Sequence, residues 1–535
     1  MNFFKKISGE SWAVAAILVA SAVVRTVSAF VVSGESGGDF YNYLLMGKSL
    51  LAGGSIFIEK RLPIYALLLI PGHLVGHPLG YARVLGIVLA ILTLYFFYRL
   101  LKDLRLPSIV VVTSLILLSF QPTFFLFSIR PLSHTLFDLE VIMSLYLFVH
   151  LTTGFVTTKK INYLLLGLFG LVLGIMSMTR HEGFLVTAVF LVCLFIFFFY
   201  QYRLRGLRTI ASTLFKVLTL PASIFILTVL PWFISNYQRF GNFLYTQYQT
   251  DNGLNVAYNL TSVLENLNKM RQIFIGIWSS SSILHLTTEI IPIIFILVWL
   301  TFGMRLVKKS IVLASGLIIL GVLAFVFRWP LNLGFVVAVL SIGLTAIGLF
   351  SLTTKIKWQI APIIIIFLTQ FAFLTLVQPW SRHSQHLFFI PILLLSFGFY
   401  KLVSTYLTKA TAVCCFIFVF PIIHYFFRTD VQVVKDYNTS GLKNQPLSQT
   451  LVDFQKYPDG EVLISTEFND KFNNDLAMVE YYLGSRITYD WKVSTRFVLD
   501  YNDSTASSLL PKETLRPLVQ EQTGDNWAQI YEVTK

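Results

Sequence analysis

The chain alternates long apolar runs with short polar connections up to about residue 427 and turns polar after that. An apolar run of about twenty residues is long enough to cross a bilayer core as a helix. Thirteen such runs are predicted as spanning helices: 11–32, 81–101, 107–128, 132–152, 161–178, 184–202, 217–235, 286–304, 310–327, 331–353, 359–378, 386–405 and 410–427. The runs lack the period-two alternation, in pieces of about ten residues, that marks a membrane β-barrel. The first run follows Lys5 and Lys6. It is too long for a signal-peptide core and shows no clear small-residue cleavage site, which predicts an uncleaved first helix. Ile64 to Gly76 is also apolar but too short to span, and it is predicted to lie at the interface or to re-enter.

Residues 428–535 carry a different pattern. Val462-Leu463-Ile464-Ser465 and Ile487-Thr488-Tyr489 read as strands, and Leu476 to Leu483 reads as a short helix ended by Gly484. The expected organisation is a helical, polytopic membrane part over 1–427 and a small α/β domain over 428–535. Two polar connections are long, 33–80 and 236–285, and neither is low-complexity. Long ordered loops on a rigid scaffold are where function concentrates.

Charge orients this arrangement. Only 13% of residues are charged against 55% hydrophobic, the mean hydropathy is +0.70 and the net charge is +14. In a membrane protein the positive excess is read as topology rather than as nucleic-acid binding. One set of alternate connections holds Lys5/Lys6, Arg99/Lys102/Arg105, Lys159/Lys160, Arg203/Arg205/Arg208/Lys216, Arg305/Lys308/Lys309, Lys355/Lys357 and Lys401/Lys409, with Glu10 and Asp103 as the nearby acids. That face is expected to be cytoplasmic. Thirteen spans then leave the N-terminus inside and the C-terminal domain outside, at the plasma membrane in a prokaryote. Cys193, Cys414 and Cys415 all fall in apolar runs, which predicts neither a structural disulfide nor a cysteine metal site.

The opposite face carries isolated charges: Asp39, Lys60, Arg61, Arg130, Arg180, Glu182, Arg328 and Arg382, with Asp138 inside the fourth run. Positive-inside bias works against arginine there. A phosphate or a lipid headgroup is one explanation, because arginine grips phosphate with a two-pronged fork. Acids at membrane depth are costly and point to function by default. Structural roles stand beside each of these. Asp39 suits the N-cap of a helix starting at Phe40. Arg180-His181-Glu182 suits a mutually satisfied turn, and Lys60 and Arg61 suit snorkelling interface residues. Arg130 and Arg382 suit unspecific headgroup contacts, and Asp138 suits pairing with a neighbouring helix. His383 and His386 have no convincing metal partners, so no metal is expected. Taken together, acids and bases beside a long loop suit chemistry on a lipid-linked phosphate, with an acid as general base and basic residues stabilising the leaving group.

Several segments, in order, resemble those of the integral-membrane GT-C glycosyltransferases, especially relatives of the protein O-mannosyltransferases and aminoarabinose transferases. Gly38-Asp39-Phe40-Tyr41-Asn42-Tyr43 resembles the first external loop, where an acid precedes a tyrosine and a helix. Lys48 to Gly54 and Arg61-Leu62-Pro63-Ile64-Tyr65 resemble the turn and the basic, proline-containing segment that follow it. Ser133-His134-Thr135-Leu136-Phe137-Asp138 resembles the start of the fourth span. Gly174 through Arg180-His181-Glu182-Gly183 resembles a segment ending Arg-Pro-Glu-Gly. Pro231-Trp232-Phe233-Ile234-Ser235-Asn236-Tyr237 with Phe240-Gly241 resembles a Pro-Trp…Arg-Asn…Phe-Gly stretch, and Arg382 before Pro391 resembles the basic residue of a late span.

The resemblance implies inverting transfer of a sugar from a polyprenyl-phosphate donor to a hydroxyl acceptor on the extracytoplasmic face, with no cofactor beyond the donor. It gives Asp39 the role of general base and Glu182 and Asp138 those of supporting site acids. Lys60, Arg61 and Arg382 become candidate phosphate ligands, and Arg130, Asp138, Arg180, His181 and Asn236 stand with them as candidate substrate- or phosphate-binding residues. The chain departs from the family pattern at Phe40, where many members carry a second acid, at His181 in place of proline, and at Ser235 in place of arginine. The first loop has no Asp-x-Asp, which argues against a metal-dependent oligosaccharyl transfer. A transporter or flippase for a lipid-linked saccharide is the alternative, but it predicts an internal repeat and mid-membrane polar residues.

Overall fold

A computed structural model describes residues 9–31, 38–53, 61–203 and 207–243, isolated helical residues between 365 and 435, and, in the C-terminal part, 446–457, 460–465, 478–479, 481–483, 486–489, 495–502, 504–505, 507, 515–523 and 526–533. The expected spans between 286 and 427 and most of the connection 236–285 lie outside the described residues. So do Lys60, Arg328, Arg382, His383, His386, Cys414 and Cys415.

The described residues up to 243 form ten helices: α1 Gly9–Val31, α2 Gly38–Leu51, α3 Pro63–Leu74, α4 Pro78–Asp103, α5 Ser108–Ser119, α6 Pro122–Ile129, α7 His134–Thr158, α8 Tyr163–Thr179, α9 Glu182–Tyr202 and α10 Leu207–Phe240. Among the described residues five helices are long and apolar enough to cross a membrane (α1, α4, α7, α9 and α10), and α5 with α6 makes a sixth if that bent pair is one span. The protein is therefore a polytopic helical membrane protein.

Three local readings of the sequence change. The run over 107–128 is not one straight helix: α5 and α6 meet at a 55° bend. Pro122 has no N–H to continue the ladder, and the Gln121 side chain accepts from Phe124 N at 2.6 Å, opening a new helix there. The fifth run becomes the 17-residue α8, about 26 Å long at the helical rise and shorter than a typical bilayer core. Its start is capped by Asn162, whose side chain accepts from Leu165 N at 3.1 Å. The helix after the first span starts at Gly38 rather than Phe40, which puts position 39 in the first turn instead of at the cap. Free N–H groups at a helix start favour an acid at that position. The apolar piece from Ile64 is helical, with Pro63 at its N-terminus where a missing N–H costs nothing.

The chain divides into two compact units, one of residues 1–22, 88–127 and 133–429 and the other of 23–87, 128–132 and 430–535. In the first, phenylalanines of three helices interlock: Phe148 of α7 lies 6.3 Å from Phe169 of α8 and 6.2 Å from Phe190 of α9, and Phe169 meets Phe190 edge-on at 5.5 Å. Helix α8 approaches α10 through a glycine face. A Cβ on Gly170 would stand 2.5 Å from the Pro221 carbonyl oxygen, and one on Gly174 2.6 Å from Thr228. Small residues let membrane helices pack backbone to backbone, where dispersion replaces the absent hydrophobic drive. On the basic face both acids are engaged. Glu10 pairs with Lys102 at 3.0 Å and accepts from Ser108, and Asp103 meets His150 Nδ1 at 2.8 Å.

The C-terminal part holds a mixed sheet of β1 Glu461–Leu463, β2 Ile487–Thr488, β3 Thr495–Tyr501, β4 Ser504–Thr505, β5 Leu515–Thr523 and β6 Asn526–Val533. The strand order is β2-β1-β3-β6-β5, with β4 beside β3. β1 runs parallel to β2 and β3, while β3-β6 and β5-β6 are antiparallel. A helix over 446–454 buries Leu447, Leu451 and Phe454, and Phe454 meets Phe497 of β3 at 4.8 Å. Both expected strands are present as β1 and β2, and residues 478–479 and 481–483 are helical as expected. Strands β3 to β6 were not read from the sequence.

Candidate functional site

In the first unit the charged residues gather where α7 begins and α8 turns into α9. Arg180 ends α8 in an extended conformation, and Glu182 opens α9. Gly183 makes so tight a turn possible: a Cβ there would lie 2.4 Å from the Met176 carbonyl oxygen. The Arg180 guanidinium donates to Glu182 Oε1 at 2.8 Å and contacts His134 Nε2 at 3.0 Å. Arginine donates and does not accept, so Nε2 is the acceptor and the imidazole proton sits on Nδ1. The His134 ring stacks on Phe127 at 4.9 Å, and the guanidinium lies 5.9 Å from the Phe137 ring. Arg180 and Glu182 expose only 13% and 10% of their side chains. The pair is thus formed and largely desolvated before any ligand arrives, and a phosphate reaching Arg180 must compete with a carboxylate.

Around this turn, His181 lies 6.1 Å from the Trp232 ring of α10, and Asn236 donates to the Phe243 carbonyl at 3.2 Å. Asp138 is buried one helical turn after His134. Glu140, two residues on, is buried as well. Its Oε1 accepts from Thr179 Oγ1 at 2.7 Å, and Oε2 is buried with no hydrogen-bond partner among the described residues. Thr179 is the residue before Arg180, so this second acid is joined directly to the charged turn.

The second unit holds Asp39 by position, together with Arg61 and Arg130, both half-buried. It also holds two arginines within helices. Arg25 of α1 is fully buried and donates from Nε to Ser128 Oγ at 2.7 Å, and Arg83 of α4 donates to the Ala29 carbonyl at 3.1 Å. Gly86 lets α4 pass this point, since a Cβ there would lie 2.7 Å from the Ser128 carbonyl oxygen.

The structure therefore brings Arg180 and Glu182 together with His134, His181 lying between them in the chain, and it buries Asp138 one turn further along α7. It places Arg61, Arg130 and position 39 in the other unit, and Lys60 and Arg382 lie outside the described residues. Sequence reading passed over Glu140, Arg25 and Arg83, and it took His134 only as part of a motif. Each of the first three is a charge inside an apolar run, which is costly at membrane depth and is itself the signal that finds it. No group of three or more His, Cys, Asp or Glu able to hold a metal ion occurs among the described residues.

No family model matches the chain, and no curated protein matches it by sequence. Solved structures do match by fold. The apo oligosaccharyltransferase of Archaeoglobus fulgidus superposes with a TM-score of 0.55 at 13% identity, over 94% of this chain and 70% of that one. The archaeal oligosaccharyltransferase AglB of the same organism, in complex with an inhibitory peptide and a dolichol-phosphate, gives 0.53 at 12% identity over the same shares. ArnT of Cupriavidus metallidurans, bound to undecaprenyl phosphate, gives 0.52 at 13% identity over 98% of each chain. At such identities the likeness is one of fold: the chain shares the overall fold of these membrane proteins.

Proposed function

We propose that this protein is a membrane glycosyltransferase that moves a hexosyl or pentosyl group from a polyprenyl-phosphate donor to a hydroxyl acceptor on the extracytoplasmic face. The observation that carries this reading is the end-to-end correspondence of fold, 98% of each chain, with a protein solved with undecaprenyl phosphate bound. A second fold neighbour was solved with dolichol-phosphate.

In the proposed reaction the acceptor oxygen attacks the anomeric carbon from the side opposite the phosphate. The carbon–oxygen bond to phosphate breaks and polyprenyl phosphate leaves, so the anomeric configuration inverts. Asp39 takes the acceptor proton. Lys60, Arg61, Arg130 and Arg382 take the growing phosphate charge, which positioned cations stabilise most in a water-poor site. Glu182 and His134 hold the Arg180 guanidinium in one orientation, which would make it a fixed electrostatic wall rather than a mobile clamp. His181, Asn236 and Asp138 are proposed as substrate contacts.

The test is purified protein in liposomes with mannosyl, glucosyl and arabinosyl polyprenyl phosphates and a mixture of hydroxyl acceptors. The expected result is sugar transfer with release of polyprenyl phosphate, reduced by about 10²- to 10⁴-fold in Asp39→Asn as expected for loss of a general base. Undiminished transfer by Asp39→Asn sinks the base assignment. Transbilayer movement of the donor without transfer would favour the flippase reading.

A further inference from the structure

Helix α2 carries Asp39 in its first turn, and a residue far along the chain touches its other end. Lys48 Nζ donates to the Tyr481 backbone carbonyl at 3.2 Å and lies 5.2 Å from the centre of the Tyr481 ring. Tyr41 of α2 meets the same ring at 5.8 Å and the Tyr482 ring at 6.4 Å. Tyr481 and Tyr482 pack edge-on at 4.9 Å, and the His73 ring of α3 lies 6.2 Å from Tyr481. Gly47 brings α3 up to α2 at this level, since a Cβ there would stand 3.2 Å from His73 Nε2 and 3.3 Å from the Ala66 carbonyl oxygen. Residues of α2, α3 and the C-terminal part thus close around one tyrosine. Burial pushes the Tyr481 hydroxyl up to about 12 and raises Tyr482. Burial first, and then the Lys48 charge, hold His73 below the ordinary histidine range.

Helical register gives this contact a direction. Tyr41 and Lys48 are seven residues apart, hence on one face of α2. Position 39 is nine residues before Lys48, about 180° round the helix and about 14 Å along it. The C-terminal part therefore grips the back of the helix whose opposite side bears position 39.

We propose that Lys48 and Tyr481 form a latch by which the C-terminal part sets the position of α2, and with it the acid at its head, which makes both of them positioning residues for sugar transfer. This rests on the glycosyltransferase reading for its catalytic consequence but not for the latch itself.

The experiment uses the full chain and has two readouts. Hydrogen exchange of the α2 amides reports the latch without any substrate. Lys48→Met and Tyr481→Ala are expected to speed exchange over 38–51 by about threefold to tenfold, the scale of one cation–π and hydrogen-bond contact in a locally opening segment. Exchange in α8 should stay unchanged. Lys48→Arg, which keeps the charge and the donor, restores slow exchange. Tyr481→Phe, which keeps the ring and the backbone carbonyl, exchanges as the wild type does. Unchanged α2 exchange in Lys48→Met and Tyr481→Ala overturns the proposal. The second readout is turnover of the polyprenyl-phosphate sugar that the wild type accepts: kcat falls in Lys48→Met, donor KM holds, and Lys48→Arg recovers kcat. A rise in donor KM with constant kcat also overturns the positioning role. If the wild type transfers none of the sugars offered, the function reading fails while the exchange result still decides the latch.

Discussion

Two turns in this protein are built from the same parts and behave differently. At the α8–α9 turn a glycine, Gly183, admits the chain, and Arg180 is held by Glu182 two residues away. At the α2–α3 pair a glycine, Gly47, admits the neighbouring helix, and Lys48 is held by Tyr481, 433 residues away. The first assembly is largely buried, and its ion pair is set within three consecutive residues, with His134 of α7 added by helix packing. The second is conditional: its lysine is exposed at the rim and is engaged only if a remote part of the chain has folded and docked. Electrostatic partners inside one turn make a fixed fixture, whereas partners at opposite ends of a chain make something that can be adjusted.

The sharpest way to break this contrast is Glu182→Ala. It leaves a largely buried guanidinium with its carboxylate gone, which should cost about 3–5 kcal/mol, read as a fall in the thermal midpoint of the detergent-solubilised protein. A cost under about 1 kcal/mol would mean that water reaches Arg180 and that the turn is not desolvated as described. Next in size is Gly183→Ala. Its Cβ would meet a backbone carbonyl at 2.4 Å, and that carbonyl has no rotamer to escape into, so about 1–3 kcal/mol should be lost. Gly47→Ala is the counterpart and should do much less. Its closest contacts are the His73 ring at 3.2 Å, which can shift, and the Ala66 carbonyl oxygen at 3.3 Å, a tight approach but nearly an ångström longer than the one at Gly183. Alanine also favours the helix over glycine by about 1 kcal/mol, so the two effects should nearly cancel in the same melting experiment.

The smallest effect is a pH dependence confined to the second assembly. The Tyr481 hydroxyl, held neutral by burial, titrates near 12 when folded, against about 10 for a free tyrosine. The unfolded or undocked state therefore loses its proton first as pH rises. The contribution is complete below about pH 10 and is lost between about 10 and 12. Wild-type α2 should open in that window faster than Tyr481→Phe, which has no proton to lose, as read by the α2 exchange rates after correction for intrinsic rates. Parallel behaviour of the two proteins would show that the hydroxyl remains in water.

What could be read from the sequence follows the range of the interactions. Helices α1, α4, α7 and α9 were legible because each is a long apolar run whose burial needs no particular partner. The bend between α5 and α6 was written in Pro122 but was overridden by the apolar run around it. The antiparallel pairing of β5 with β6, which reaches Thr523 and Asn526, had a signal in the sequence Gly524-Asp525 between two strand-like runs. A Gly-Asp dipeptide in that setting is a sequence signal for a hairpin. Strand β3 had no alternation to find, since nearly all of Thr495–Tyr501 is buried. The charged turn was half legible. Arg180, His181 and Glu182 stood out together, but His134 and Glu140 join them only through the packing of α7 on α8. The contact of Lys48 with Tyr481 left no trace in the sequence, because no local pattern couples positions so far apart.

The glycine face of α8 has a mechanical consequence. Where Gly170 lies against the Pro221 backbone and Gly174 against Thr228, the two helices stand too close to admit lipid between them. Helices α8 and α10 are in effect one beam, and whatever movement accompanies a working cycle must carry them as a single body or leave them still. The residue that ends α8 is Arg180, so its guanidinium inherits that stiffness, and any hinge has to be sought elsewhere in the chain.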